Sequence, residues 1–229
     1  MVGGYFASAG ETEIRGLPKF LEKISSKVLW KRCFPAREKP GPKPCRSISP
    51  RREERGATGS FLARKIKERL RKMQNSLQEY CLFIVIDDAD CQSPKEKDQE
   101  FEQIFNQYSI QWIGFWALPE IESWFLGDLE NSFRKFSPFK EKFVLFIRDL
   151  RSQYAFSTPE DFNNILKNDG KCFQKLSEII SDIFRKYGIL YKKGENSANF
   201  LRNIDPDNVA KRCPFFRNRL LQLREGIRC

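Results

Sequence analysis

The most constraining feature of this chain is an apolar run that stops at a group of carboxylates. Residues 81–86 read Cys-Leu-Phe-Ile-Val-Ile without one charged side chain, and Asp87-Asp88-Ala89-Asp90 follows directly. An unbroken run of this kind is typical of a strand covered by helices on both faces, as the strands of a parallel sheet are. The sequence therefore predicts an α/β fold with aspartates at the carboxyl end of a central strand, where the active groups of such sheets gather.

The rest of the first 130 residues fits this architecture. Three further segments have the composition of strands, at residues 3–8, 28–34 and 110–117. Apolar residues at helical spacing predict helices between and after the strands, at residues 14–25, about 60–77, 94–108 and 120–128. Because strand and helix alternate four times, we expect a mostly parallel sheet flanked by helices.

Beyond residue 130 the apolar spacing predicts mainly helices. They cover about 139–153, 158–168, 171–187, 197–204 and 213–225. We therefore expect two parts: an α/β domain in residues 1–130, with a basic Pro-rich insertion at about 35–57, and a helical C-terminal extension in residues 131–229 that packs on it.

Composition excludes several kinds of chemistry. The chain contains no histidine, which removes Ser-His-Asp triads and nearly all histidine-ligated zinc sites. Seven cysteines without a C-x-x-C pair argue against a closed zinc site or a full disulfide framework, so we expect a reducing, cytoplasmic compartment with most thiols in the core. No segment approaches ~18 apolar residues, and residues 1–10 lack the features of a signal peptide, so a membrane partner is not expected.

Acidic residues follow three of the four expected strands. They are Glu11 and Glu13 after the first strand, Asp87, Asp88 and Asp90 after the third, and Glu120 and Glu122 after the fourth. Carboxylates crowded at one edge need a cation or shared protons, and oxygen ligands alone favour Mg²⁺ or Mn²⁺. Each group also has a purely structural explanation, because Asp favours turns and acids in the first turn of a helix interact favourably with its dipole.

Positive charge is concentrated in one segment. The formal net charge is +11, and residues 31–72 alone hold 15 Lys and Arg against 4 Asp and Glu. This clustering favours a polyanionic partner, DNA or RNA, contacted mainly through its phosphates. The candidate contacts are Arg51, Arg52, Arg55, Arg64, Lys65, Lys192 and Lys193. The alternative is a solvated basic surface.

Four segments together resemble a known family. They are Gly10-Glu-Thr-Glu-Ile-Arg-Gly-Leu-Pro18, Ile86-Asp-Asp-Ala-Asp-Cys91, Pro119-Glu-Ile-Glu-Ser-Trp-Phe-Leu-Gly-Asp128 and residues 199–217. In this order they resemble an uncharacterised TOPRIM-like bacterial family, the domain of unknown function numbered four-two-seven-six, related to OLD-type nucleases. The resemblance implies a nuclease that cleaves phosphodiesters with Mg²⁺ or Mn²⁺. It also implies a partner AAA-type or SMC-like ATPase that gates cleavage in phage defence or DNA processing.

The resemblance assigns roles to the acidic residues. Asp88 and Asp90 would hold the metal ion, with Asp87 beside them, and one of Glu120 and Glu122 would complete the site. One residue departs from the TOPRIM pattern, because Ala9 precedes Gly10 where a Glu-Gly pair is usual. Either Glu11 or Glu13 takes over the role of that glutamate, or the chain is a catalytically degenerate subunit that binds nucleic acid or senses another protein.

The Asp-x-Asp pattern is not specific to this family. It also occurs in haloacid-dehalogenase phosphatases and in metal-dependent glycosyltransferases, and these folds remain alternatives. The chain has no P-loop, so we expect it not to hydrolyse ATP itself.

Overall fold

The computed structural model describes residues 2–35, 58–73 and 82–227. Its centre is a four-stranded sheet in the order β2-β1-β3-β4, and every neighbouring pair of strands is parallel. The strands are β1 (Val2–Ser8), β2 (Val28–Phe34), β3 (Leu82–Asp88) and β4 (Trp112–Ala117). The expected α/β architecture with a parallel sheet is therefore confirmed.

Helices cover both faces of this sheet. Between the strands lie α1 (Glu11–Ile24), α2 (Gly59–Met73) and α3 (Pro94–Phe105), and after β4 come α4 (Glu122–Gly127), α5 (Phe139–Gln153) and α6 (Phe162–Ile165). The chain then forms a small hairpin, β5 (Lys167–Asn168) and β6 (Lys171–Cys172), and ends with α7 (Leu176–Arg185), α8 (Glu195–Asn203), α9 (Pro206–Arg212) and α10 (Pro214–Gly226). No helix in the described part is long and apolar enough to cross a membrane.

Alternation along β3 divides the core into two layers. Ile84 and Ile86 face a layer formed by α1 and the helices after residue 130. Phe83 and Val85 face the opposite layer, which contains the apolar sides of α2 and α3. Because successive strand residues point to opposite faces, each of the two layers takes every second side chain of this buried strand.

Close packing joins the first helix to the C-terminal part of the chain. A Cβ atom added to Gly16 on α1 would lie 2.7 Å from the Cβ of Leu201 on α8, and 3.0 Å from the carbonyl oxygen of Ala198. Only glycine permits this approach without a shift of one helix. The helices after residue 130 therefore pack directly on the α/β part.

The expected helices at 158–168 and 171–187 are wrong in their boundaries. A short 3₁₀ turn and α6 are followed by the β5–β6 hairpin, and α7 begins only at Leu176. Asp169 and Gly170 have positive φ angles of 47° and 79°, which suit the two-residue turn of a hairpin and interrupt a helix.

Candidate functional site

The carboxyl ends of β1, β3 and β4 meet at one edge of the sheet, named here the acidic edge. Strand β3 lies between the other two, with Ser8 paired to Ile86 and Asp88 paired to Ala117. The first turn of α1, which contains Glu11 and Glu13, follows β1 at this edge. The backbone therefore brings together the three acidic segments, although the side chains of Glu11 and Glu13 lie outside the described part.

Asp87 is held by groups on α2 and α3. Its Oδ2 atom accepts hydrogen bonds from Lys97 Nζ at 2.6 Å and from the backbone N–H of Gly59 at 3.0 Å. Its Oδ1 atom accepts from the N–H of Asp88 at 3.0 Å. Burial raises the pKa of this carboxyl, and the Lys97 charge opposes that effect. Because Asp87 and Asp88 are successive residues of one strand, they face opposite layers, and the structure does not bring Asp87 into the site as a shared metal ligand.

Asp88 ends β3 and Asp90 lies in the turn after it, and both are fixed to the segment after β4. Asp88 Oδ1 accepts a hydrogen bond from the N–H of Ile121 at 2.9 Å. The N–H groups of Ala89 and Asp90 donate to the carbonyl oxygens of Ala117 and Pro119 at 2.8 and 3.0 Å. The loop thus extends the β3–β4 pairing past the end of both strands, so its position at the acidic edge is determined by the backbone.

Glu120 connects the acidic edge to the C-terminal helices. Its Oε1 atom accepts from Lys193 Nζ at 2.6 Å, and its Oε2 atom accepts from the N–H of Ser177 at 2.8 Å, near the start of α7. Burial would raise the pKa of Glu120, but the neighbouring Lys193 charge and these hydrogen bonds outweigh it, and the net direction is downward. Glu120 is therefore an ionised partner of Lys193.

Glu122 is completely buried at the start of α4. Its Oε1 atom accepts hydrogen bonds from the hydroxyl groups of Tyr191, at 3.0 Å, and Ser197, at 3.3 Å. Its Oε2 atom has no hydrogen-bond partner among the described residues. Burial raises the pKa of this carboxyl, and the nearby Lys193 charge opposes that effect.

Lys193 supplies a positive charge to the acidic edge. Burial lowers the pKa of its ammonium group, but the carboxylates of Glu122, Asp88 and Glu120 outweigh this and raise the pKa above its usual range. The side chain remains 43% exposed, so the ammonium group lies at the boundary between the acids and solvent. The neighbouring Lys192 is more exposed and lies 3.9 Å from a Glu195 oxygen.

The acidic edge offers oxygen ligands of the kind that a hard divalent cation prefers, but the described side chains do not form a complete metal site. Among the side chains that the structure describes, no three acidic or sulfur groups converge on a point where a metal would be held. The oxygen donors have the hardness that Mg²⁺ and Mn²⁺ require, and the buried Oε2 atom of Glu122 has no partner in the described part. Asp88 and Asp90 are the candidate ligands that the structure describes at this edge, and the metal site itself stays a prediction.

Two of the candidate phosphate contacts, Arg64 and Lys65, lie on α2. Arg64 is exposed, and its guanidinium group lies 4.6 Å from the ring centre of the exposed Phe61. Lys65 lies 5.7 Å from the same ring and 3.5 Å from a Glu68 oxygen. The other candidates in this segment, Arg51, Arg52 and Arg55, and most of the Pro-rich insertion lie outside the described residues.

Comparison with known proteins gives a family and no function. The family described as a domain of unknown function, DUF4276, matches residues 10–224. The chain belongs to this family. No curated protein and no solved structure matches the chain.

Several residues that build this DUF4276 site were not predicted from the sequence. Lys97, Ser177, Tyr191 and Ser197 each hold one of the acids, and only tertiary packing brings them there. Lys97 lies on the helix that follows Asp87, ten residues further along the chain, so this contact spans only the turn between β3 and α3. For the other three, which lie 57 to 75 residues from their partners, the sequence offers no signal.

A disulfide between Cys91 and Cys172 was also not expected. It ties the turn after β3 to the β5–β6 hairpin, across 81 residues of sequence. Two other cysteines, Cys33 and Cys213, are buried, as expected for cysteines that act as small apolar core residues.

Proposed function

We propose that this protein is a TOPRIM-type nuclease that cleaves phosphodiester bonds with Mg²⁺ or Mn²⁺. The observation that carries the proposal is the position of the Asp88–Asp90 loop. Backbone hydrogen bonds hold this loop at the acidic edge, and the strand pairing places the first turn of α1, with Glu11 and Glu13, beside it. Carboxylates from two neighbouring strand ends are the arrangement that oxygen-ligated metal sites in open parallel sheets use.

The residues take distinct roles in this proposal. Asp88 and Asp90 hold the metal ion, and Glu11 or Glu13 activates the attacking water or holds a second ion. When bound, the metal would stabilise the negative charge that develops on the phosphate. Glu120 instead positions the C-terminal helices through Ser177 and Lys193, whereas the unpartnered oxygen of Glu122 keeps a ligand role open for that residue.

The basic face of α2 supports nucleic acid as the substrate. The helix begins at the acidic edge, because the N–H of its first residue, Gly59, donates to Asp87. Arg64 and Lys65 follow within its first two turns. A phosphate backbone bound along α2 would therefore run toward the carboxyl end of β3, which carries Asp88 and is followed by Asp90.

Cleavage is tested with labelled single- and double-stranded DNA and RNA in the presence of Mn²⁺. Asp90→Ala should abolish cleavage and leave nucleic-acid binding nearly unchanged, because the binding residues lie on a different element. The matched control is Asp182→Asn, which changes an exposed acid on α7 that pairs with Arg185.

Calorimetry with Mn²⁺ should show that Asp88→Ala and Asp90→Ala together remove metal binding. Equal Mn²⁺ affinity in the wild type and the double variant would refute the metal site.

Binding of the polyanion is tested by its salt dependence. Each phosphate contact on B-DNA contributes about −0.9 to the slope of log affinity against log salt concentration. Replacing Arg51, Arg52, Arg55, Arg64 and Lys65 with Gln should make the slope shallower. An unchanged slope would show that the basic segment is only a solvated surface.

We also propose that an AAA-type or SMC-like ATPase gates the site, as the family resemblance implies. The test begins with a search for an AAA-type or SMC-like ATPase gene beside the gene of this chain, followed by cleavage assays with and without its product in the presence of ATP. The expected result is that the chain cleaves faster when the ATPase and ATP are both present than when only one of the two is added.

The alternative function is a catalytically degenerate subunit that binds nucleic acid or senses another protein. Two observations favour it. Ala9 stands at the end of β1 in place of the usual TOPRIM glutamate, and the Lys193 ammonium already compensates part of the acidic charge. The two functions separate if the chain with Mn²⁺ and the ATPase never cuts DNA or RNA, because nucleic-acid binding would then survive without cleavage.

A further inference from the structure

A basic groove lies between α5, α9 and the segments around residues 126–130 and 156–159. It consists of two adjoining cavities of about 450 and 310 Å³. Both cavities are lined by Leu129, Ile147, Arg151, Lys211 and Arg212. Ligand sites in proteins typically measure ~300–1,000 Å³, so each cavity alone reaches the lower part of that range.

Three cations converge on this groove from the ends of two helices. Arg151 lies in the last turn of α5, and Lys211 and Arg212 lie in the last turn of α9. Lys211 donates to Asn208 Oδ1 at 2.9 Å, whereas Arg151 and Arg212 make no ion pair or side-chain hydrogen bond within the part of the chain that the structure describes. Cations at helix C-termini interact favourably with the helix dipole, but this does not explain why two helices end with their cations at the same cavity.

The acids that line the groove already have other partners. Asp128 Oδ2 accepts from the N–H of Asp205 at 2.7 Å and from Asn131 at 3.0 Å. Glu130 forms an ion pair with Arg134 at 2.6 Å. The two guanidinium groups and the ammonium group therefore leave a net positive charge that an anion would neutralise.

The floor of the groove is apolar. Besides Leu129 and Ile147, it contains the rings of Phe143 and Phe156 and the side chain of Leu126. Both rings are only partly buried. An inorganic anion would contact the cations and leave this floor exposed to water, whereas a ligand with an anionic group and a flat apolar body would cover both.

We propose that the basic groove binds a nucleoside phosphate. The phosphate groups contact Arg151 and Arg212, with Lys211 beside them, because guanidinium groups form paired hydrogen bonds with phosphate oxygens. The base lies against the apolar floor, where aromatic side chains offer stacking surfaces. The groove is distinct from the acidic edge, since Glu122 begins α4 at that edge and Gly127, which lines the groove, ends it. The proposal does not depend on nuclease activity.

The test is calorimetry of the full chain with ADP, pyrophosphate and adenosine in the absence of divalent metal. ADP should bind more tightly than pyrophosphate or adenosine, because only ADP contacts both the cations and the floor. Arg151→Gln and Arg212→Gln should each weaken ADP binding about tenfold, as expected for the loss of one charge-assisted hydrogen bond. The matched control is Arg148→Gln on the same helix, since Arg148 contacts Asp149 and Tyr187 and does not line the groove.

A comparison of ADP with a short 5′-phosphorylated oligonucleotide distinguishes a free nucleotide from the end of a nucleic-acid strand. A 5′-phosphorylated trinucleotide that binds at least as tightly as ADP would identify the end of a nucleic-acid strand as the ligand, and weaker binding would identify the free nucleotide. Thermal unfolding of each variant should match the wild type, because the substituted side chains are exposed. The proposal is overturned if ADP does not bind, if pyrophosphate binds as tightly as ADP, or if Arg148→Gln weakens ADP binding as much as Arg212→Gln.

Discussion

Asp87 and Lys97 form an ion pair that is almost completely removed from water, and it holds α2 and α3 against the end of β3. The exposed fractions of the two side chains are 0% and 1%. The Lys97 ammonium group also donates to the backbone carbonyl of Asp88, so both of its hydrogen bonds are to the last two residues of β3. Asp87 is therefore a structural acid, although the sequence places it in the same run as Asp88 and Asp90.

Removing one partner of this pair should be costly. Lys97→Met leaves the Asp87 carboxylate buried without a counter-charge, and we expect the free energy of unfolding to fall by about 3–5 kcal/mol. In Lys97→Met with Asp87→Leu, no unpaired charge remains, and most of the stability should return. Urea unfolding of the wild type and both variants measures these differences. Equal losses in the single and double variants would show that the pair stabilises through packing rather than through charge.

Glu160 is a second acid whose role is structural, and its stability contribution should depend on pH. Its two oxygens accept hydrogen bonds from the N–H groups of Phe215 and Phe216 at 2.7 and 2.9 Å, at the start of α10. Burial raises the pKa of the carboxyl, and these two hydrogen bonds oppose that effect. An acid whose pKa is higher in the folded than in the unfolded chain stabilises the fold most below its ordinary value of 4.5.

The Glu160 contribution should therefore decrease as the pH rises from 4.5 through the raised pKa. Glu160→Gln does not titrate, so the stability of the wild type relative to this variant should fall over that range. Unfolding by urea at several pH values measures the difference. Glu160→Ala is the control for the hydrogen bonds, since it leaves two N–H groups unpaired, and we expect it to cost about 1–3 kcal/mol relative to the wild type below pH 4.5. A constant difference between wild type and Glu160→Gln would contradict the raised pKa.

At the scale of elements, the disulfide between Cys91 and Cys172 fixes the turn that carries Asp90. Closing 81 residues of sequence reduces the entropy of the unfolded chain, which corresponds to a stabilisation of about 4 kcal/mol. Cys172→Ser should lose about that amount in unfolding measured without reductant. With a dithiol reductant present, wild type and variant should become nearly equal. If the two already unfold alike without reductant, the disulfide does not form in solution.

The sequence predicts some elements well because their signal is local. Strand β2 and helix α5 have the expected boundaries, since a bounded apolar run and a regular helical spacing define them. Helix α9 was missed, although Asp205 caps it and Pro206 begins it, because it is short and its apolar spacing is weak. The helix expected at 120–128 begins only at Glu122, so Glu120 lies in the preceding turn, where its carboxylate reaches Ser177.

In the candidate site, too, the features set by local sequence could be predicted, whereas those set by tertiary packing could not. The position of Asp88 follows from the parallel strand, because the run at 82–86 predicts where the sheet edge lies. The opposite orientation of Asp87 also follows from strand alternation, once the strand is known to continue to Asp88. The contacts of Glu122 with Tyr191 and Ser197 depend on how the C-terminal helices pack, which no local pattern specifies.

At the scale of the whole molecule, one core joins the first 130 residues to the rest of the chain. The ring centres of Phe20 and Trp124 are 5.7 Å apart, and the ring of Phe216 lies 6.0 and 4.9 Å from theirs. Glu120 and Glu122 add polar contacts to Ser177 and Tyr191 across the same boundary. Two parts that share a core and a polar network in this way are expected to unfold together.

Two optical signals can test this cooperativity because they report on different parts. All four tryptophans lie before residue 131, and most of the helices that dominate far-ultraviolet circular dichroism lie after it. Denaturation followed by tryptophan fluorescence and by circular dichroism should therefore give coincident transitions, as a two-state protein does.

Gly16→Ala should shift both transitions to lower denaturant concentration, since the new Cβ would lie 2.7 Å from Leu201 on α8, and overpacking of this kind costs about 1–3 kcal/mol. Gly170→Ala is a control away from the interface, because no atom lies within 4 Å of its added Cβ, although its positive φ makes some loss from backbone strain expected. Two separate transitions, with Gly16→Ala shifting only one of them, would show that residues 1–130 and 131–229 fold as independent domains.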